Sequence, residues 1–586
     1  MELKKKITSV LAVGLAAAMT FSLAACGSDT AGEEKDDGSL VTVDVFDSLA
    51  NQQGEQKGWF AKIVQDKFNL KLNIIAPNVS GGDTVFDTRA ASGSLGDLII
   101  TGTGNGRLQK LVKANLVTDM TPYYSSMTNV KKYQNAVDAI TEQAGKDGVW
   151  GIPQGVSSSD PSSPSEGMEP TSAPYIRWEY YKELGYPEIK DLDAFLDVLK
   201  DMQDLARKET GQNDIYAFSL FKDWDGDVMN NASAVVNWLG YQGQGSVFIS
   251  ADGKDVQPAT QEGGVYEQAL EFLNKAEQMG LVDPESTTQD WDTMQNKVTN
   301  GKTLVSLFSW LGKPRMNSDE NKAKGVGFML APLQSMKVYS TGFTPDGDGS
   351  TIIAIGSKSK YKERLAKFID WLYSSEGVYA AASNSGGAAC PKGLGCWTEG
   401  SDGKPQLTDF GKQAMNGDHA NLKISDDLGG GTYDSGFSLL NFKAVQQNDI
   451  DSETGAAFNP QLWESEADTS ALFKDWSEHM GGATSDIDYL EKNNLLTVAP
   501  GASYTTPQEE STVSATRSSI KTEVVNASWN ALVAKSDAEF AKVLKDVRQQ
   551  VKDLGYDSVL KVDEQNAKDL AKARQEVVKQ YQSDAK

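Results

Sequence analysis

Histidine and cysteine are nearly absent, with two His and three Cys in 586 residues. His419 and His479 stand in unrelated contexts, which excludes a His-rich zinc site and leaves a Ser-His-Asp triad only one of these two to draw on. Basic residues are also short: 56 Lys and Arg face 81 Asp and Glu, a formal charge of −25. So acidic a surface repels phosphate backbones, and nucleic acid is not an expected partner. The remaining composition, 39% hydrophobic and 9% aromatic, is that of a chain folding around a core, not of a disordered chain, a collagen-like repeat or a polytopic membrane protein. The length allows about three or four small domains or two large lobes.

The N-terminus is built unlike the rest. Lys4, Lys5 and Lys6 precede an apolar run from Ile7 to Phe21 and the small residues Ala24 and Ala25, the three parts of a secretory signal. The ending Leu23-Ala24-Ala25-Cys26 resembles the bacterial lipobox, in which the cysteine is lipidated and becomes the new N-terminus. Residues 1–25 are therefore expected to be a signal peptide and 26–39 a flexible tether, small and charged with no apolar period. Cleavage would remove three Lys and one Glu, leaving the mature chain more acidic still. Acyl chains on Cys26 suffice for stable anchoring at the outer face of a cell membrane, in the Gram-positive manner. The other cysteines, Cys390 and Cys396, can close a small disulfide loop in an oxidising exterior; two buried free thiols are the alternative.

From Leu40 onward, strand and helix patterns alternate. Val41 to Asp47 and Leu70 to Ile75 alternate apolar and polar residues, and Asp97-Leu98-Ile99-Ile100 follows. With helical stretches between them, these predict an α/β doubly wound arrangement whose ligands sit beyond the carboxyl ends of the strands, where Asp47 lies. Residues 156–174, rich in Ser and Pro, read as a surface insertion. Beyond them Leu192, Phe195, Leu196, Leu199, Met202 and Leu205 share one helical face. Thr351 to Ile355 reads as a strand, and Ser536 with Glu539 as a capping box.

Several segments in this order resemble the extracellular solute-binding proteins of bacterial ABC transporters, family 1, in their large sugar-binding lipoprotein branch. They are the lipobox, residues 89–99, 116–123, 147–153, 175–185, 368–377 and the tail around 536–563. The resemblance implies a two-lobed periplasmic-binding-protein-like α/β fold with a hinge and an interlobe cleft. On it, residues 40–155 and 345–385 form the N-terminal lobe and 156–344 and 386–586 the C-terminal lobe. It also implies an oligosaccharide ligand, permease subunits as partners, and work as a monomer without a cofactor. Relatives often carry an EF-hand-like calcium loop after the first helices of the second lobe. Here residues 208–215 offer too few oxygens for a six- to eight-coordinate site, and Asp346-Gly347-Asp348-Gly349 reads as a turn, so no metal is expected.

A pyranose needs aromatic platforms for its C–H face and short polar side chains for its hydroxyl rim. Trp224, with Asp225 beside it, and Trp310 each follow a strand-like run, and Trp59 follows the first strand and a polar loop. Trp371 and Trp529 lie in helical apolar stripes and are assigned to cores. Asp47, Asn51, Gln52 and Asp348 are candidates for the rim, and so is Arg177, for which an ion pair is the alternative. Tyr433 and Phe437 could line the cleft from a glycine-rich loop. The acidic surface argues for a neutral sugar. The competing functions are a secreted glycoside hydrolase, which would need paired carboxylates about 5–10 Å apart, and a peptide-binding receptor of the same fold.

Overall fold

The computed structural model describes residues 36–80, 82–382, 389–415, 421–463 and 468–584. The signal-like run, Cys26, most of the tether and His419 lie outside the described residues.

The first lobe is built on a six-stranded sheet. In spatial order its strands are Gly54–Glu55, Leu70–Ile75, Val41–Asp47, Leu98–Gly102, Thr351–Ile355 and Ile152–Pro153. Val41–Asp47 runs parallel to both neighbours, pairing Val43 with Leu72 and Phe46 with Ile99, while Thr351–Ile355 is antiparallel, with Ile353 opposite Ile100. Because successive side chains leave a strand on opposite faces, Val43, Val45, Ile100 and Ile353 enter one apolar layer and Phe46, Ile99 and Ile352 the other. Helices cover both faces. Gly58–Phe68 and Lys362–Leu372 bury Trp59, Phe60, Leu365 and Phe368 on one side, and Arg107–Lys113 buries Leu108 and Leu111 on the other.

The second lobe centres on a small antiparallel sheet of Val305–Phe308, Ser172–Arg177 and Phe328–Leu330. The helix Leu192–Thr210 packs Phe195, Leu199 and Met202 into its core. Asp191 caps that helix by accepting from the Ala194 amide at 2.9 Å, and Gly211, at φ 70°, takes the left-handed turn that ends it. Ser536 likewise caps the helix Asp537–Asp553.

The structure differs from expectation in two assignments. Residues 156–171 are not a free insertion but a crossing between the lobes. The Val156 amide donates to the Ala444 carbonyl, Ser158 to Asp449, and Ser165 to the Thr341 carbonyl. Residues 389–415 and 421–458, expected in the C-terminal lobe, pack in the first: Cys390, Tyr433, Phe437, Phe442 and Phe458 share a core with Val43 and Trp59. Apolar periodicity reports that a segment is buried on one side but not which of two cores receives it.

Candidate functional site

The edge of the second lobe at which the crossing segment arrives follows from strand direction. Val305–Phe308 is antiparallel to Ser172–Arg177, so its last residue, Phe308, pairs with Ser172, the point at which the crossing segment arrives. The Ser309 amide donates to the Thr171 carbonyl at 3.1 Å, and Trp310 follows at once, in the first turn of the helix Ser309–Met316. Trp224 sits in a turn after Phe221. The expected strand there, residues 218–221, is extended chain held by isolated bridges from Tyr216 to Thr303 and from Phe218 to Val282.

Three indoles meet at this edge. Trp224 stacks on Trp291 with centroids 4.4 Å apart, and Trp310 lies 5.6 Å from Trp224 and 5.8 Å from Trp291. Phe308 stacks under Trp310 at 4.8 Å, and Phe221 meets Trp224 edge-on at 5.0 Å. Asp223 fixes the arrangement, its Oδ2 accepting from the Trp291 amide at 2.7 Å. The Arg315 guanidinium lies 5.6 Å from the Trp291 ring and donates to Gln295. Trp224 and Trp310 remain 44% and 38% exposed, a large apolar area to leave in water. Trp291 was not among the sequence candidates. It opens the helix Trp291–Thr299 behind the N-cap Asp290, a placement that packs as readily into a core as into a cleft.

The other candidates divide. Asn51 and Gln52 are exposed on the loop after the first strand. Asp47 is fully buried. Its Oδ1 accepts from the Leu49 and Ala50 amides, its Oδ2 has no hydrogen-bond partner, and burial pushes its carboxyl up to about 6. Asp348 sits in the expected turn, accepting from the Ser350 amide and from Gln154 Nε2 at 2.7 Å, with its pKa raised by burial. Gly349 in that turn has φ 66°, and a Cβ there would come within 2.3 Å of Ser503 Oγ.

Five candidates are structural, not rim or platform groups. Trp59 and Tyr433 are fully buried, and Phe437 meets both rings edge-on. Arg177 is buried at the end of its strand opposite Ser172, bonded through Nε and Nη2 to Glu179, which is the ion-pair alternative. Asp225 spends one oxygen on Trp529 Nε1 at 2.7 Å and the other on the Asn230 amide. Trp371 and Trp529 are buried, as their stripes predicted.

Within residues 208–215 the carboxylate of Asp214 and the amide oxygen of Gln212 are taken by an ammonium. Lys302 Nζ donates to Gln212 and Asp214, both at 2.7 Å. Cys390 and Cys396 are free, fully buried thiols in mutual hydrogen-bond contact, not the bridged pair; burial, then the neighbouring thiol, pushes Cys390 up. His479 stacks on Tyr186 at 3.6 Å in the second lobe.

Comparison with known proteins agrees with this architecture. The family described as bacterial extracellular solute-binding protein matches residues 51–379. A multiple sugar-binding protein of Streptococcus mutans is 23% identical over 419 residues, 67% of this chain and 83% of that protein. An HMO-binding, ABC-transporter-associated solute-binding protein from Bifidobacterium longum infantis superposes with a TM-score of 0.55 at 14% identity, over 92% of this chain and 100% of that one. The S. pneumoniae ABC-transporter substrate-binding protein FusA, in complex with kestose, gives 0.54 at 14% identity, over 93% and 100%. At these identities the likeness to solved structures is one of fold. No helix among the described residues is long and apolar enough to cross a membrane.

Proposed function

The chain belongs to the bacterial extracellular solute-binding protein family, and from that premise we propose that it is the receptor of a sugar-importing ABC transporter. It captures a neutral oligosaccharide between its lobes and delivers it to the membrane permease, working as a monomer held at the cell surface by lipid on Cys26. The observation that carries this reading is the cluster of Trp224, Trp291 and Trp310 on the second lobe, with Trp224 and Trp310 largely exposed. Stacked indoles offer the flat, weakly polar surface that the C–H face of a pyranose needs, and three of them suit a chain of residues better than a single ring.

The mechanism is binding and closure. A sugar seated on the platform loses water from one face. Bringing the first lobe onto the other face then buries the ligand, and the permease reads the closed form. No chemistry is asked of the protein, which acts as a receptor and not as a glycoside hydrolase.

A thermal-shift screen across plant, host and microbial oligosaccharides tests the reading. A ligand at 100 times its Kd adds about 2.7 kcal/mol of stability, so a true ligand raises the melting temperature and is recovered intact. Cleaved product would establish the hydrolase instead, and a shift with peptides alone would establish the peptide receptor. Anchoring is tested separately: Cys26→Ser releases the protein into the medium, and an unmodified Cys26 on the membrane-bound form would overturn it.

A further inference from the structure

The three indoles come from three separate stretches of chain. Trp224 lies in the turn after Phe221, Trp291 opens the helix Trp291–Thr299, and Trp310 lies in the first turn of the helix Ser309–Met316. A surface assembled from separate elements keeps its shape only as well as those elements are fixed to one another. Between the turn and the first helix the fixture is Asp223, whose carboxylate accepts from the Trp291 amide. Between the two helices it is Arg315.

Pro314, inside the second of these helices, leaves an acceptor to be met. Having no N–H, it cannot supply the bond that the Trp310 carbonyl, four residues back, receives in a regular helix. The Arg315 side chain turns back toward this gap. Its Nη1 reaches within 3.5 Å of the Trp310 carbonyl and donates to the Leu311 carbonyl at 3.1 Å. Its Nη2 leaves the helix and donates to Gln295 Oε1 at 2.6 Å, on the helix Trp291–Thr299, and the guanidinium carbon lies 5.6 Å from the centre of the Trp291 ring. Gln295 is held in turn, its Nε2 donating to Asp292 at 2.7 Å. One planar group thus meets the backbone beside Trp310, the ring of Trp291 and the helix that carries that ring. A lysine ammonium, a point charge without a fork, cannot reach all three at once.

We infer that Arg315 is a positioning residue of the sugar site: it pins the helix of Trp310 to the helix of Trp291, so that the rings present one surface, and it acts through those rings without touching the ligand. This rests on the sugar-receptor reading above. Trp224 and Trp310 keep much of their surface in water, so their alignment depends on what lies beneath and beside them. A platform aligned before the ligand arrives spares binding the cost of ordering it.

The test uses the mature protein and the neutral oligosaccharide that gives the largest thermal shift. Affinity is measured by calorimetry for the native protein, Arg315→Met, Arg315→Lys, Gln295→Met and the double variant Arg315→Met/Gln295→Met. The alignment of the rings is read without ligand, as the part of the near-ultraviolet circular dichroism that the native protein loses in Trp224→Ala. Arg315→Met is expected to lose about three- to tenfold in affinity, the range for ordering a side chain on binding, together with part of that dichroism. Arg315→Lys should recover some of both. Gln295→Met leaves the arginine its contacts within its own helix, so it keeps the test open should Arg315→Met fold poorly, and it should lose a similar factor. Because the two side chains form one pin, the double variant should lose no more than the larger single loss. Native affinity in both single variants would overturn the proposal. Lost affinity with the platform dichroism intact would also overturn it, by making Arg315 a ligand contact. If the native protein binds no sugar at all, the receptor reading fails, while the pin is still tested: an Arg315→Met spectrum identical to the native one would overturn it alone.

Discussion

Trp59 and Tyr433 stack with ring centroids 5.6 Å apart and planes inclined by 22°, and the Trp59 indole donates to the Tyr433 carbonyl at 2.8 Å. One residue opens the first helix of the lobe and the other lies 374 residues downstream, so this contact closes a long loop of chain into the first core. Gly436 permits it, since a Cβ there would come within 2.1 Å of the Trp59 ring.

That pair predicts a stability defect without a binding defect. Trp59→Ala removes a fully buried aromatic and the shorter of two hydrogen bonds to the Tyr433 carbonyl, which keeps the Gly436 amide at 3.3 Å, a loss expected at about 3–5 kcal/mol. Chemical denaturation should show a lower midpoint, while the fraction still folded binds ligand with native affinity. A thirtyfold loss of affinity at unchanged stability would move Trp59 back to the cleft.

Asp47 predicts a pH dependence. Burial raises its carboxyl from 3.8 to about 6, against the opposing amides of Leu49, Ala50 and Asn441. The protonated form is therefore favoured in the folded state. Its stabilising contribution is fully present below about pH 4 and lost as pH rises through about 6. Asp346, also raised to about 6 by burial, adds in the same window. Asp47→Asn keeps the acceptor for Leu49 and Ala50 and cannot ionise. It is expected to be more stable than the native protein at pH 7.5 by about 1–3 kcal/mol, with the difference vanishing near pH 4. Melting temperatures of both proteins across pH 4–8 check this, and a constant difference would refute it.

The thiols give a third prediction. Cys390 and Cys396 are sealed from solvent, and burial disfavours the Cys390 thiolate, the reactive form. Iodoacetamide should modify neither in the native protein and both in denaturant without reductant. Failure to modify them in denaturant until reductant is added would reveal a disulfide.

Elements with a strong local pattern were legible in the sequence. The alternation over Val41–Asp47 marks its strand from end to end, and the stripe from Leu192 to Leu205 marks the helix Leu192–Thr210. The tryptophans show where legibility stops. Trp59 and Trp224 both follow polar or extended chain, yet one is sealed and the other 44% exposed. The difference is made by Tyr433 and Phe437 for the first, and by Trp291 and Trp310 for the second. These partners are remote in sequence, and no local period encodes them.

The platform predicts the opposite of the Trp59 core. Trp224 and Trp310 rest on aromatic neighbours but keep a large face in solvent, so truncating either opens no sealed cavity. Trp224→Ala and Trp310→Ala should each lower ligand affinity by about 2 kcal/mol, or roughly thirtyfold, with ligand-free melting temperature little changed. Trp291 is half-buried beneath Trp224, holding its ring at 4.4 Å. Trp291→Ala should therefore cost both affinity and stability, because it removes the support as well as part of the surface. Since the three indoles touch, the double variant Trp224→Ala/Trp310→Ala should lose less than the sum of the single losses. Calorimetry on the four variants reads the affinities, and thermal melts without ligand read the stabilities. Native affinity together with a large fall in melting temperature for Trp224→Ala would show that these rings are packing groups and that the sugar is held elsewhere.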